Sequence, residues 1–162
     1  MRFIELDGPT YFAPMLKEVV EHTRAAYASD PDIYTVMLIL TDGSIHDMSQ
    51  TIDWIVDGSC LPLSIIIIGI GNADFSLMEQ LDSDDQLLQG SKKTAQRDIV
   101  QFVPFDQYKG QPEELAAAVI EELPNQIVGF YRSIGRKPEK PKVNTGKGSP
   151  TRNVNYPEFP SK

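Results

Sequence analysis

Four consecutive isoleucines, Ile65 to Ile68, sit in the stretch PLSIIIIGIG at residues 62–71. Such a run cannot present an apolar stripe at helical spacing, and β-branched side chains favour a pleated, covered surface. A central strand is therefore expected here, and its neighbours should follow parallel-sheet rules, with helical crossovers between strands.

The flanking sequence supplies both helices and strands. Pro14 suits a first-turn position, and Leu16, Val19, Val20 and Thr23 follow it at helical spacing. Residues 34–41 form a second strand, apolar nearly throughout, as expected for burial on both faces. Asp47 then offers an N-cap, with Gln50 completing a capping-box pattern, and Met48, Ile52, Ile55, Val56 and Ser59 form one helical face. Asp74 can cap a short helix carrying Phe75, Met78 and Leu81. A polar loop from Asp82 to Gln96 leads to a third strand, DIVQFVPF. Pro112, Glu113 and Glu114 start a last helix well, since acids in a first turn favour the helix dipole. Leu115, Ala118, Val119 and Leu123 should face inward, and Pro124 must kink or restart the helix before Ile127, Phe130 and Tyr131.

Three parallel strands with right-handed crossovers account for this body, which is α/β and about half of a doubly wound sheet. Ligands of such sheets bind at the carboxyl ends of the strands. In LILTDGSIHD, residues 38–47, the apolar strand stops at Thr41 and Asp42 stands at that end.

At 162 residues, 41% of them apolar, the chain suits a single domain burying roughly two thirds of its unfolded surface. No stretch approaches the roughly 20 apolar residues of a membrane span, and MRFIELDGPT lacks the features of a signal peptide. One cysteine, Cys60, allows no internal disulfide and no cysteine-rich zinc site, and reads as a small buried hydrophobe. A cytoplasmic location is expected. The net charge of −8 is divided: residues 136–162 hold seven Lys/Arg and two Glu (+5), residues 1–135 eight bases and 21 acids (−13). So acidic a body would repel nucleic acid. The basic, Pro-rich segment 139–162 is expected to be disordered and largely solvated.

Several enzyme motifs fail. GIGNAD resembles a dinucleotide fingerprint, but Asp74 occupies the third glycine's place, so Gly69 and Gly71 read as tight-turn residues. Ser44, His46 and Asp47 are close in sequence but have no G-x-S-x-G elbow, and His46 reads as an exposed loop residue. DSDDQLL at 82–88 has Leu87 where a calcium loop needs glycine, and Lys93 where it needs glutamate. Neither H-E-x-x-H nor a Walker A sequence occurs. A small nucleotide- or phosphate-binding enzyme on a Rossmann-like sheet stays open as the alternative, with Gly71 and Asn72 offering free amides.

Taken in order, GPTYFAP, LILTDGSIHDM, LPLSIIIIGIGNADFSLMEQLDSDD, RDIVQFVPF and ELPNQIVGFY resemble the copine family. They are similar to the later part of its von Willebrand factor type A domain, over roughly residues 5–138. The resemblance implies an N-terminally truncated copine-like protein, with a partial type A domain at 1–138 and the tail at 139–162. It implies a metal-ion-dependent adhesion site at the carboxyl ends of the strands, with Thr10 and Asp42 as two ligands of Mg²⁺ or Ca²⁺. The D-x-S-x-S loop that completes such a site is absent from the 162 residues, so ion binding should be weak. The resemblance further implies a protein partner at the top of the sheet, and calcium-dependent binding to anionic phospholipid peripherally at the plasma membrane. Interaction rather than catalysis is expected. Strand 34–41 should have an open outer edge, a template for self-association.

Overall fold

A computed structural model of the chain describes residues 9–82 and 86–137. In chain order come α1 (Ala13–Ser29), β1 (Thr35–Thr41), α2 (Met48–Gly58), β2 (Leu63–Gly69) and α3 (Ser76–Leu81). These are followed by β3 (Val100–Pro104), a 3₁₀ turn (Phe105–Tyr108), α4 (Pro112–Val119) and α5 (Leu123–Ser133). The three strands form one parallel sheet in the order β1-β2-β3. The isoleucine strand is central and buried at every position. The expected partial doubly wound α/β sheet is present.

Register assigns each residue to a face. Met37, Ile65 and Val100 stand side by side, as do Ile39, Ile67 and Phe102. Phe12, Leu16 and Val20 of α1, Ile55 of α2, and Met78 and Leu81 of α3 join these residues in the main core. On the opposite face Ser64 donates to Gln126 Oε1 at 2.6 Å, and the Gln101 side-chain amide donates to the Ala118 carbonyl. Helices α4 and α5 are thus held over β2 and β3, and none of the α4 residues is fully buried.

Four expectations need correction. Cys60, just past the end of α2, is exposed and is not a buried hydrophobe. β1 is not covered on both faces: Met37 and Ile39 are buried, whereas Val36, Leu38 and Leu40 are 44%, 55% and 61% exposed. The cause is position, because the helices on that side lie over its neighbours. The third strand stops at Pro104 and Phe105 enters the 3₁₀ turn, since proline has no N–H to extend a ladder. The two glycines after the isoleucines have different jobs. Gly71 has φ of +93°, the turn role expected. Gly69 ends β2, and a Cβ there would come within 2.9 Å of the Phe102 ring, so close packing selects it.

Arg97 fastens α5 to the sheet. Its Nη2 donates to the carbonyls of Leu61 and Leu63 at 2.6 and 2.7 Å, and its guanidinium lies 5.4 Å from the centre of the buried Phe130 ring. Such a planar cation satisfies carbonyls at its edge while stacking on an aromatic face. Pro124 sits in the first turn of α5 and restarts the helix, as its missing N–H allows. The tail expected to be disordered lies outside the described residues.

Candidate functional site

Three loops meet at the carboxyl rim of the sheet. The segment before α1 carries Thr10, the β1–α2 loop carries Asp42 to Asp47, and the β2–α3 loop carries Gly71 to Asp74. Thr10 and Ile45 form an isolated parallel bridge. The His46 N–H donates to the Thr10 carbonyl at 3.0 Å, and the Thr10 N–H donates to His46 Nδ1 at 3.1 Å. His46 is exposed as expected, but it is bound to the Thr10 segment on both sides of that exchange.

That pairing sets Thr10 against the loop that carries Asp42. Thr10 Oγ1 lies 3.4 Å from the position a Cβ would take on Gly43, the residue after Asp42. Asp42 is exposed, and its carboxylate makes no hydrogen bond among the described residues. Thr41 and Gly43 beside it are tied to each other through the Thr41 hydroxyl. A hydroxyl and a carboxylate on adjoining loops are hard oxygen donors, the type that Mg²⁺ and Ca²⁺ take. They fit such an ion as part of its oxygen shell, though two donors do not fill one.

Asp47 is the residue whose role the sequence misassigns. It stands at the N-cap of α2 but makes no side-chain cap there. Its Oδ1 instead accepts the Phe12 N–H at 3.0 Å, and Oδ2 accepts the Ala13 N–H at 2.8 Å. The Thr51 hydroxyl also donates to Oδ1 at 3.2 Å. The amino end of α1 begins at Phe12, which has no capping side chain, and its orphan amides need an acceptor from elsewhere. A first turn without its own Ser, Thr, Asp or Asn was the available signal. The carboxylate that caps α1 also fixes the Thr10 segment against the Asp42 loop.

The third loop adds an acidic neighbour. Ser44 Oγ reaches the Asp74 carbonyl at 3.5 Å, and Asp74 Oδ1 accepts the Ser76 N–H at 3.0 Å. The Ser76 backbone amide, then its hydroxyl, hold the Asp74 carboxyl below the usual carboxylate range. The rim is therefore anionic, and one amide that an anion would need there is already taken.

Two other features lie away from this rim. Asp82, Asp98 and Glu122 bring carboxylate oxygens within 4.8 Å of one another. Asp82 accepts the Phe102 N–H at 3.0 Å and Asp98 the Val100 N–H at 3.1 Å, so two of the three cap outward amides of β3. A cleft of about 630 Å³ runs beside Arg97, Glu122, Gln126 and Phe130, the groups that seat α5. Among the described residues no helix is long and apolar enough to cross a membrane.

Comparison with known proteins gives a consistent picture. Residues 1–139 match the Copine family model. Copine-A of Dictyostelium discoideum is 46% identical over 135 residues, which is 83% of this chain and 22% of that protein. Copine-C of the same organism is 41% identical over 141 residues, 86% of this chain and 26% of that protein. The chain thus spans about a quarter of the length of these curated relatives.

Proposed function

This chain belongs to the copine family, and from that premise we propose that its α/β core is a type A interaction module. Its recognition surface is the carboxyl rim of the sheet, where Asp42 and Thr10 supply oxygens to Mg²⁺ or Ca²⁺. The observation that carries this reading is the convergence of the Thr10 hydroxyl on Gly43, beside the exposed, unengaged carboxylate of Asp42. A divalent ion at that point supplies a positive centre that an acidic group of a protein partner can complete. Thr10 and Asp42 hold one side of it, and the Asp47 cap keeps their loops in register.

Calorimetric titration with Mg²⁺ and Ca²⁺ tests the reading. Binding in the millimolar range is expected, because two protein donors leave most of the shell to water. Asp42→Ala should abolish it while shifting stability by no more than about 0.5 kcal/mol, as for an exposed side chain without partners. Unchanged ion affinity in Asp42→Ala would sink the proposal. A nucleotide- or phosphate-binding enzyme is the weaker reading, since Asp74 occupies the Ser76 amide and would repel a phosphate.

Calcium-dependent association with anionic phospholipid, peripheral to the plasma membrane from the cytoplasmic side, is proposed from the family for the protein of which this module is part. For the 162-residue chain, the +5 segment 136–162 sets a ceiling near 5 kcal/mol at about 1 kcal/mol per charge. That corresponds to a roughly sub-millimolar dissociation constant, and the −13 body weakens it further. Liposome pelleting should accordingly be weak and independent of calcium. Strong calcium-dependent pelleting would place lipid binding on the type A module itself.

A further inference from the structure

The connection from α3 to β3 contains a small hairpin outside the sheet. Gln89 and Thr94 form an isolated antiparallel bridge, and the Ala95 N–H donates to the Leu88 carbonyl at 2.8 Å. The Gly90 N–H donates to the Lys93 carbonyl at 2.9 Å and closes the turn. Its tip, Ser91, Lys92 and Lys93, is exposed.

Two carboxylates one helical turn apart on α2 seat that tip. Asp53 Oδ1 accepts the Ser91 N–H at 2.6 Å, and Oδ2 accepts the Ser91 hydroxyl at 2.8 Å. Asp57 takes the Lys93 ammonium. Gly90 completes the fit, since a Cβ there would come within 2.7 Å of Asp53 Oδ1. The hold is polar, faces solvent and runs mostly through Ser91.

We propose that Ser91 is a phosphorylation site for a basophilic serine/threonine kinase, and that the phosphate releases the 90–93 turn from α2. The inference does not depend on the Thr10 and Asp42 reading. Ser91 is the one Ser or Thr of the 162 residues that is followed directly by two basic residues, Lys92 and Lys93. A kinase cleft lined with carboxylates selects such a segment by charge. Residues 1–135 carry −13 in all, so little else in the body would be drawn to that cleft. Only surface polar contacts must part for the segment to extend into it.

In the transfer, Ser91 Oγ attacks the γ-phosphorus of Mg²⁺–ATP. The bond from that phosphorus to the bridging oxygen breaks, and ADP leaves with the electron pair. The hydroxyl proton passes to the kinase's catalytic aspartate.

Release follows from what the phosphate does to each contact. Ser91 Oγ loses the proton that it donates to Asp53. A group of charge about −2 then stands within hydrogen-bond range of that carboxylate, where like charges repel strongly. The same phosphate attracts Lys92 and Lys93, and draws Lys93 away from Asp57. Trp54 and Val56 line the cleft of about 430 Å³ between the turn and α2, so lifting the turn opens apolar surface on that helix.

The test treats the 162-residue chain with Mg²⁺–ATP and a purified basophilic kinase. Fragment mass spectrometry locates the phosphate, because residues 136–162 also hold Ser and Thr beside Lys or Arg. Ser91 should be modified. The Ser91 amide should then exchange at least tenfold faster than in the untreated chain, with β2 unchanged. Fluorescence of Trp54, the single tryptophan, should become at least twofold more sensitive to acrylamide. Ser91→Ala, which keeps the backbone amide that Asp53 accepts, should show neither change after the same treatment. Absence of phosphate from Ser91 would overturn the site. Phosphate on Ser91 with its amide exchanging no faster would overturn the release, and would mean that Lys92 and Lys93 hold the modified turn in place. The same changes in treated Ser91→Ala would overturn the proposal too, by tracing them to another acceptor.

Discussion

The carboxylate of Asp47 accepts the backbone N–H of Ala13 at 2.8 Å, across 34 residues of sequence. With the Phe12 amide at 3.0 Å on the other oxygen, this one side chain closes the amino end of α1 from outside the helix. Carboxylates there are favoured by both the unpaired amides and the helix dipole.

Removing that side chain leaves two partly buried donors without acceptors. Asp47→Ala should therefore lower stability by about 2 kcal/mol, within the range measured for lost caps and stranded donors. Asp47→Asn, which keeps one acceptor oxygen, should recover about half of the loss. Urea unfolding of the three proteins measures this directly. If Asp47→Ala costs under about 0.5 kcal/mol, the cross-chain cap is not what holds the rim together.

Residues 65–68 were legible because their pattern excludes a helix whatever surrounds them. The strand 35–41 was legible as a strand but not in its exposure. Alternate residues look alike in sequence, and only the placement of α5 over β2 and α4 over β3 decides which face of β1 stays open. Asp47 fits a local capping-box template, but the acceptor it supplies goes to a helix that local spacing does not reach. Thr10 and Asp42 were marked by the family's order of motifs. That Thr10 lies against the loop carrying Asp42 depends on the Thr10–Ile45 bridge, which is tertiary. Arg97 gave no signal, because its carbonyl partners Leu61 and Leu63 are defined by backbone geometry alone.

Acid should loosen the 91–93 segment before the sheet. Asp57 on α2 is bound by Lys93 and by Arg24, at 2.7 Å for the latter. Lys93's hydrogen bond is the main cause of its depressed pKa; burial opposes it and Arg24 adds to it. A depressed folded pKa contributes stability that is present above the unfolded value near 3.9 and is lost as pH falls through the folded value. Asp53, depressed by the Ser91 backbone amide and then by its hydroxyl, acts in the same direction. Asp57→Asn should therefore reduce stability at pH 7, by at most about 1 kcal/mol for so exposed a pair. The difference from wild type should shrink below pH 4. A constant difference from pH 7 to pH 2 would show that Asp57 acts through packing instead.

Thr23 offers a test in the stabilising direction. It is fully buried on α1, and its hydroxyl has no hydrogen-bond partner among the described residues. Burying an unpaired hydroxyl costs free energy that an isosteric methyl avoids. Thr23→Val should stabilise the chain by about 1 kcal/mol, despite valine's slightly lower comfort in a helix. A lower urea midpoint at unchanged m-value would show that the hydroxyl is satisfied in solution.

Arg97 should be the residue whose loss most disturbs α5. Truncation to alanine strips the carbonyls of Leu61 and Leu63 of a charged donor and removes the cation from the faces of Phe130 and Tyr34. Hydrogen bonds from a charged group contribute about 1.5–3 kcal/mol each, and an aromatic contact of this kind about 0.5–1 kcal/mol. Because the side chain is only half-buried, water replaces part of what is lost. Arg97→Ala should cost about 3 kcal/mol. Arg97→Lys should recover less than half, since an ammonium can donate to the two carbonyls that Nη2 serves but has no plane to lay on the Phe130 ring. The loss should be local first: amides of α5 should exchange faster at native conditions, ahead of those in β2. Uniform acceleration across the sheet and α5 would mean that Arg97 supports the whole core, and that α5 is not a separately releasable layer.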